Sequence, residues 1–240
     1  MVITYDDGYH NNYTNAFPLL ITQNIPASIF LTTALINTRK LLWFDEYLLG
    51  VEYLLRTKGH ATLSLRGKNH TLHTQAQADE FKEELKTATR TQVRNVLSQL
   101  ARLATNSLDN KFVQAHSILA TTEIKRMKQH NISFYPHGHT HAILATLSDK
   151  ELAQEILKSL TFTKKNSLGT DCYAYVNGRV RDFDDRATTL LAKNGVRIAL
   201  TTIPGWNTQC TPHYAIKRMS MGSTQDWNSF MIRIHFGLFL

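Results

Sequence analysis

Two short stretches hold the residues best equipped for chemistry. The first, "TYDDG" (residues 4–8), ends an apolar β-type run on two adjacent carboxylates, Asp6 and Asp7. Adjacent carboxylates disfavour each other's ionisation, and a strand end has no packing need for such a pair. The second, "FYPHGHTH" (residues 134–141), brings His137, His139 and His141 together, and His137 and His141 stand four apart. On a helical turn that spacing shares one face. Two imidazoles and one carboxylate, with positions left open, are a common catalytic-metal set. Such N,N,O donors suit Zn²⁺ best, with Co²⁺, Ni²⁺, Mn²⁺ or Fe²⁺ as alternatives. A metal would stabilise the charge of one aspartate and leave its neighbour free to act as a base. The base would work on a water whose pKa the metal lowers toward about 7. Each stretch also has a plain reading, as a solvated turn or as an exposed histidine tract. Chemistry alone leaves both open.

The elements that must position these groups alternate between β and α patterns. "MVITY", "ASIFLTT", "ISFYPHG", "CYAYV" and "VRIALTT" read as strands. "NNYTNAFPLLITQN" has helical spacing with an awkward Pro18 in its middle. "LLWFDEYLLGVEYLLRT" reads as an apolar helix interrupted at Gly50, too greasy to be left in water. "ATLSLRGKNHTLH" reads as a small hairpin, and "QADEFKEELKTATRTQVRNVLSQLARLA" as one long helix or two. A helix at "SDKELAQEILKSL" opens on a capping box of Ser148 and Glu151. Gly195 closes the helix over "FDDRATTLLAKNG". This order predicts a mainly parallel α/β domain with helices outside, in which functional groups collect at the C-terminal strand ends. Residues 36–115 hold more helix than one crossover needs and read as an insertion into a single domain spanning 1–240.

The chain has 240 residues, 42% of them apolar, which suffices for a real core. Its formal charge of +8 is scattered, with no basic stripe interleaved with aromatics, so nucleic acid is not expected as a partner. A field favourable to an anionic glycan remains. Cys172 and Cys210 make neither a disulfide framework nor a zinc motif and read as buried thiols, a single bridge between them being left open. No apolar run is long enough to span a bilayer, and no leader-like segment precedes Val2. As it stands the chain therefore reads as cytoplasmic. It opens directly on a strand, however, which suggests that upstream residues are missing.

With these residues in view, the chain resembles the polysaccharide deacetylases, the NodB-homology domains of carbohydrate esterase family 4. "TYDDG" looks like their first motif, and "HGHTHAILATLS" resembles the second, a His-x-x-x-His pair followed by Leu-x-x-Leu-Ser. "YAYVNG" together with "TTIPGWNT" is similar to a subgroup with a Phe-Ala-Tyr-Pro-x-Gly third motif and a later Thr-Thr-x-Pro-Gly segment. The resemblance covers about residues 2–35 and 118–210. It implies a distorted (β/α) barrel of about seven parallel strands and metal-dependent removal of acetyl groups from N-acetylated sugars of a polysaccharide or glycolipid. It also implies that Asp6 is the base, that Asp7, His137 and His141 hold the metal, and that the backbone N–H of Tyr173 steadies the oxyanion. His139 has no role in the family. Relatives are often secreted or periplasmic.

The departures from the family pattern define what is to be found. Ala174 stands where many relatives carry an arginine that holds the base, so Asp6 lacks an orienter unless Arg179 or Arg181 substitutes. Val176 replaces the subgroup's proline. The Leu-x-Leu-x-His acid motif has only a faint echo at His235, with His213 as the other late histidine; a surface or packing role weighs against both. Among the aromatics that could stack on sugar rings, Tyr9, Trp43, Tyr135, Tyr175 and Trp206, the favoured groove residue is Trp206, with Tyr175 beside it. The competing readings are an O-acetyl esterase, a metal-keeping glycan-binding module without turnover, and an amidase on a non-sugar substrate.

Overall fold

The computed structural model describes residues 2–104, 110–221 and Met231. Strand β1 (Ile3–Tyr5) runs into a π-helical turn at Asn12–Ala16, which continues as α1 (Phe17–Thr22). Pro18 falls at the junction of the π-helical turn and α1, in the first turn of α1. Strand β2 (Ala27–Leu31) follows, apolar and buried as a two-sided parallel strand should be.

The segment that reads as an insertion folds into α2 (Trp43–Lys58), a hairpin of β3 (Ala61–Leu65) and β4 (Lys68–Leu72), α3 (Gln75–Leu85) and α4 (Arg90–Leu103). The long helical reading resolves into two helices because Thr74 and Thr89 each cap one, their hydroxyls accepting from the backbone of Gln77 and Gln92. This segment has its own core, built on Tyr47, Val51, Leu63, Phe81, Val96 and Leu100. Helix α2 runs unbroken through Gly50, contrary to the interruption expected there. A Cβ at Gly50 would lie 3.2 Å from the Leu100 Cβ, so the glycine is a packing notch that lets α4 come close.

Helix α5 (Asn110–Ala115) leads to α6 (Thr121–Lys128) and to β5 (Ile132–Pro136). Helix α7 (Asp149–Lys165) starts where the Glu151 carboxylate accepts both the N–H and the hydroxyl of Ser148. Then come β6 (Cys172–Ala174), α8 (Asp185–Lys193) and β7 (Ile198–Leu200). Helix α8 ends at Gly195, whose positive φ of 81° suits the left-handed turn.

Strands β1, β2 and β5 form a parallel sheet in that order, with Ile3 opposite Ala27 and Ala27 opposite Ile132. Strands β6 and β7 form a second parallel pair. The two meet where Gly169 N–H donates to Phe134 O at 2.9 Å. A side chain at Gly169 would strike the Tyr135 ring at 2.2 Å. The parallel α/β arrangement expected from the alternation is therefore present. Among the described residues the parallel strands form these two groups rather than a closed ring of about seven. The sheet packs on Phe17, Leu119, Ile124 and Met127, and the β6 side on Ile156, Leu160 and Leu191. Among the described residues no helix is long and apolar enough to cross a membrane.

Candidate active site

The C-terminal ends of β1 and β5 converge, and with them the two chemical stretches. Asp7, His137 and His141 each offer a ligand atom, and these atoms lie within 4.8 Å of one another. His137 Nδ1 stands 2.9 Å from the Ala174 carbonyl of β6. A carbonyl can only accept, so Nδ1 carries the proton and the Nε2 lone pair faces Asp7 Oδ1 at 3.5 Å. His141 Nε2 lies 2.9 Å from the same Asp7 oxygen. Oδ1 is buried, and its close neighbours are the two imidazole nitrogens. Three donor atoms aimed at a common point, one of them a buried carboxylate oxygen, fit a divalent cation.

The electrostatics agree. Burial by itself would raise Asp7, but His141 and His137, with Arg218 beyond them, hold its carboxyl below the usual range. Burial pushes His137 down against the pull of Asp6 and Asp7, which favours the neutral, ligating form. Two members of the set also sit in the left-handed backbone region, Asp7 at φ 69° and His141 at φ 60°. That conformation is unfavourable for residues other than glycine and clusters at functional sites.

Asp6, next to the cluster, is gripped by Arg218. The guanidinium donates to both carboxylate oxygens, at 2.8 and 2.7 Å, and its Nε–H donates to Thr201 O at 2.8 Å. Arg218 thus supplies the orienter that the third motif lacks. Arg179 and Arg181, the substitutes considered from the sequence, pair with Glu83 instead. Nothing local in "IKRMS" singles Arg218 out, because its partner lies 212 residues away.

The loop between His137 and His141 rests on a second group that sequence reasoning missed. Glu155 of α7, 1% exposed, accepts from the N–H of His139 (2.8 Å), Thr140 (2.5 Å) and Ala142 (3.4 Å) and from the Thr140 hydroxyl (2.8 Å). Gly138, at φ 88°, lets the carboxylate approach, since a Cβ there would stand 3.1 Å from Glu155 Oε1. Arg90, the first residue of α4, donates to Thr140 Oγ1 at 2.8 Å and lies 3.8 Å from Glu155. The inserted helices therefore touch the loop between His137 and His141 directly. His139 points elsewhere, with Nδ1 3.0 Å from Thr33 Oγ1.

On the α2 side, Tyr9 OH donates to Asp45 Oδ2 at 2.7 Å, and the Tyr9 ring meets the His116 ring edge-on. Burial raises the Asp45 carboxyl; Asp7 raises it further, while Tyr9, His116 and His141 act against it. Phe44 packs on the His141 ring at 5.1 Å.

Residues 1–103 match the polysaccharide deacetylase family. That match spans the first strand pair and most of the inserted segment. Solved structures agree in fold. Over 95% of this chain and 67% of the other, it is similar to Streptococcus pyogenes deacetylase PplD in complex with acetate (15% identity, TM-score 0.57). Over 92% and 67% it is similar to IcaB from Ammonifex degensii (13%, TM-score 0.54). Over 96% and 73% it is similar to a de-N-acetylase from Aggregatibacter actinomycetemcomitans (11%, TM-score 0.52). No curated protein matches the sequence.

Some of the expected site residues stand apart from the cluster. Tyr173 lies in β6 between Asp171 and Tyr175, whose backbone groups both bond to β7. The alternation of a parallel ladder turns the Tyr173 N–H toward β7 as well, away from the cluster. Tyr175 is fully buried and stacks on Phe183 at 4.0 Å, so it is a core residue rather than a sugar platform. His213 is exposed, beside β7, where its carbonyl accepts from Ala199. His235 lies outside the described residues. Trp206 is 52% exposed on the loop after β7. That loop is tied by Asn207 to both backbone groups of Lys217, the neighbour of Arg218. Cys172 is buried as expected and its thiol is pushed up to about 12, by burial first and Asp171 second, whereas Cys210 is exposed and both thiols are free.

Proposed function

We propose that this chain is a metal-dependent hydrolase that removes acetyl groups from N-acetylated sugars of a polysaccharide or glycolipid. The observation that carries this reading is a carboxylate base, Asp6, fixed through both oxygens by Arg218 beside a three-donor cation site. A divalent ion held by Asp7, His137 and His141, with Zn²⁺ favoured by the donor set, would supply Lewis acidity and an acidified water. The protein's own groups do the rest. Asp6 accepts the proton of the attacking water. Arg218 holds that carboxylate in one orientation, and the Nδ1–H of His137 on Ala174 O fixes the ring that ligates. The proton needed by the leaving nitrogen is assigned to the Asp45–His116 pair, which Tyr9 bridges. Trp206, exposed near the Arg218 segment, offers a flat face to a sugar ring.

The reading as a binding module without turnover drew its weight from the missing arginine and from the unclear acid motif; Arg218 answers the first of these. Acetate release from N-acetylated and O-acetylated oligosaccharides, measured after loading with Zn²⁺ or Co²⁺, tests the proposal and separates amide from ester substrates. Asp6→Asn is expected to lower the rate about 10²–10⁴-fold, the usual contribution of a general base. Acetate release that survives Asp6→Asn would remove Asp6 from the mechanism. A loaded protein that releases no acetate from any of the glycans would refute the enzyme reading.

A further inference from the structure

Beyond His141, on the side facing the inserted helices, lies a cavity of about 190 Å³. Its walls are apolar, from Trp43, Val93 and Leu97 of the insertion and Ile143 of the metal loop, and His141 closes one side. It opens to solvent and has room for a substituent of a sugar. Three cations, Lys86, Arg90 and Arg94, also line it.

Arg90 has Glu155 as its partner at 3.8 Å, but the charge of the other two is poorly balanced. Lys86 contacts Glu83 at 2.5 Å, but the same carboxylate serves Arg179 at 3.3 Å and Arg181 at 3.9 Å, so one negative charge answers three positive ones. Arg94 has no ion pair or side-chain hydrogen bond among the described residues. A folded surface gains nothing by gathering like charges around an apolar hollow. Arginine forks are suited to two-point contact with planar carboxylates and with phosphates.

We propose that this cation-rimmed cavity receives an anionic group, a phosphate or a carboxylate, carried on or next to the acetylated sugar. The inference rests on the deacetylase reading and narrows its substrate to acidic glycans. His141 borders both the cavity and the metal cluster, so the anion and the acetyl group belong to the same or adjoining sugar units. Arg90 links the two, since it lines the cavity while bonded to Thr140 of the metal loop.

The test compares acetate release from neutral, uronate-bearing and phosphate-bearing N-acetylated oligosaccharides of one length. The metal-loaded wild type and Arg94→Gln are compared, with Arg197→Gln, an exposed arginine beside Asp171, as control. At least one acidic series is expected to show a kcat/KM ten-fold or more above the neutral one, carried by KM and weakened by added salt. Arg94→Gln should erase that preference and Arg197→Gln should keep it; which series wins distinguishes phosphate from carboxylate. Equal use of neutral and acidic glycans by the wild type would overturn the proposal while leaving the deacetylase reading intact. If no glycan is deacetylated, that reading falls, and calorimetry with inorganic phosphate and glucuronate judges the cavity alone. Binding that Arg94→Gln removes supports it, and no binding to the wild type overturns it.

Discussion

At the scale of single residues, the site holds groups in states that a stable fold would avoid. Asp45 is buried, and burial raises its carboxyl, so it binds its proton more tightly folded than unfolded. It therefore contributes stability below its unfolded pKa of about 4 that is lost as pH rises through the folded value. Asp45→Asn is expected to raise the unfolding midpoint by a few degrees at pH 8, to gain little near pH 4, and to lower turnover. Denaturation at the two pH values checks this; an equal gain at both would mean that the carboxylate charge is not the cause. Asp7 stores a different cost, its left-handed backbone at φ 69°. Asp7→Gly should relieve about 1 kcal/mol of strain in the metal-free protein while abolishing metal uptake. A metal-free variant less stable than wild type would show that the conformation is not strained. That an aspartate of "TYDDG" could meet His137 and His141 was legible from residue types and spacing, whereas the choice of Asp7 over Asp6 came from the family resemblance. Arg218 was not legible, because a side chain in an irregular segment carries no periodicity and no motif.

Among elements, α7 matters more than its packing suggests. Its Glu155 gathers three N–H groups and a hydroxyl of the metal loop inside the protein. Glu155→Ala would leave buried donors unpaired at about 1–3 kcal/mol each and should weaken metal binding about 10–100-fold. Glu155→Gln, which keeps one acceptor and the shape, should recover part of the affinity. Titration with a fluorescent zinc competitor measures both, and unchanged affinity in Glu155→Ala would make the contact a bystander. The strands, the hairpin and the cap at Ser148 were readable because hydrophobic period and capping chemistry are local. The contact between Arg90 and Thr140 was not, since the sequence shows that an insertion exists but not where it leans. Gly50 misled for the same reason. Glycine weakens an isolated helix, but here Leu100 occupies the space that a side chain would need.

On the scale of the whole molecule, a bound cation should act as a fold-wide clamp, because its ligands come from β1 and from the loop after β5. At a free concentration 100 times the dissociation constant, a ligand specific to the native state adds about 2.7 kcal/mol. For a chain of this size that is a rise of roughly 5–10 °C in the unfolding midpoint. Zn²⁺ added to chelator-treated protein should produce this shift, and His137→Ala should abolish it. A wild type whose midpoint does not move would contradict the cation site itself. The pairing of Asp6 with Arg218 bears on how such a molecule is made. Its two halves are separated by 212 residues, the longest loop closed by any side-chain contact described above. A chain emerging from the ribosome displays Asp6 and then His137 and His141 long before Arg218 has been synthesised. On the proposed reading, a chain cut short before Arg218 would carry Asp6 without its partner and should release no acetate.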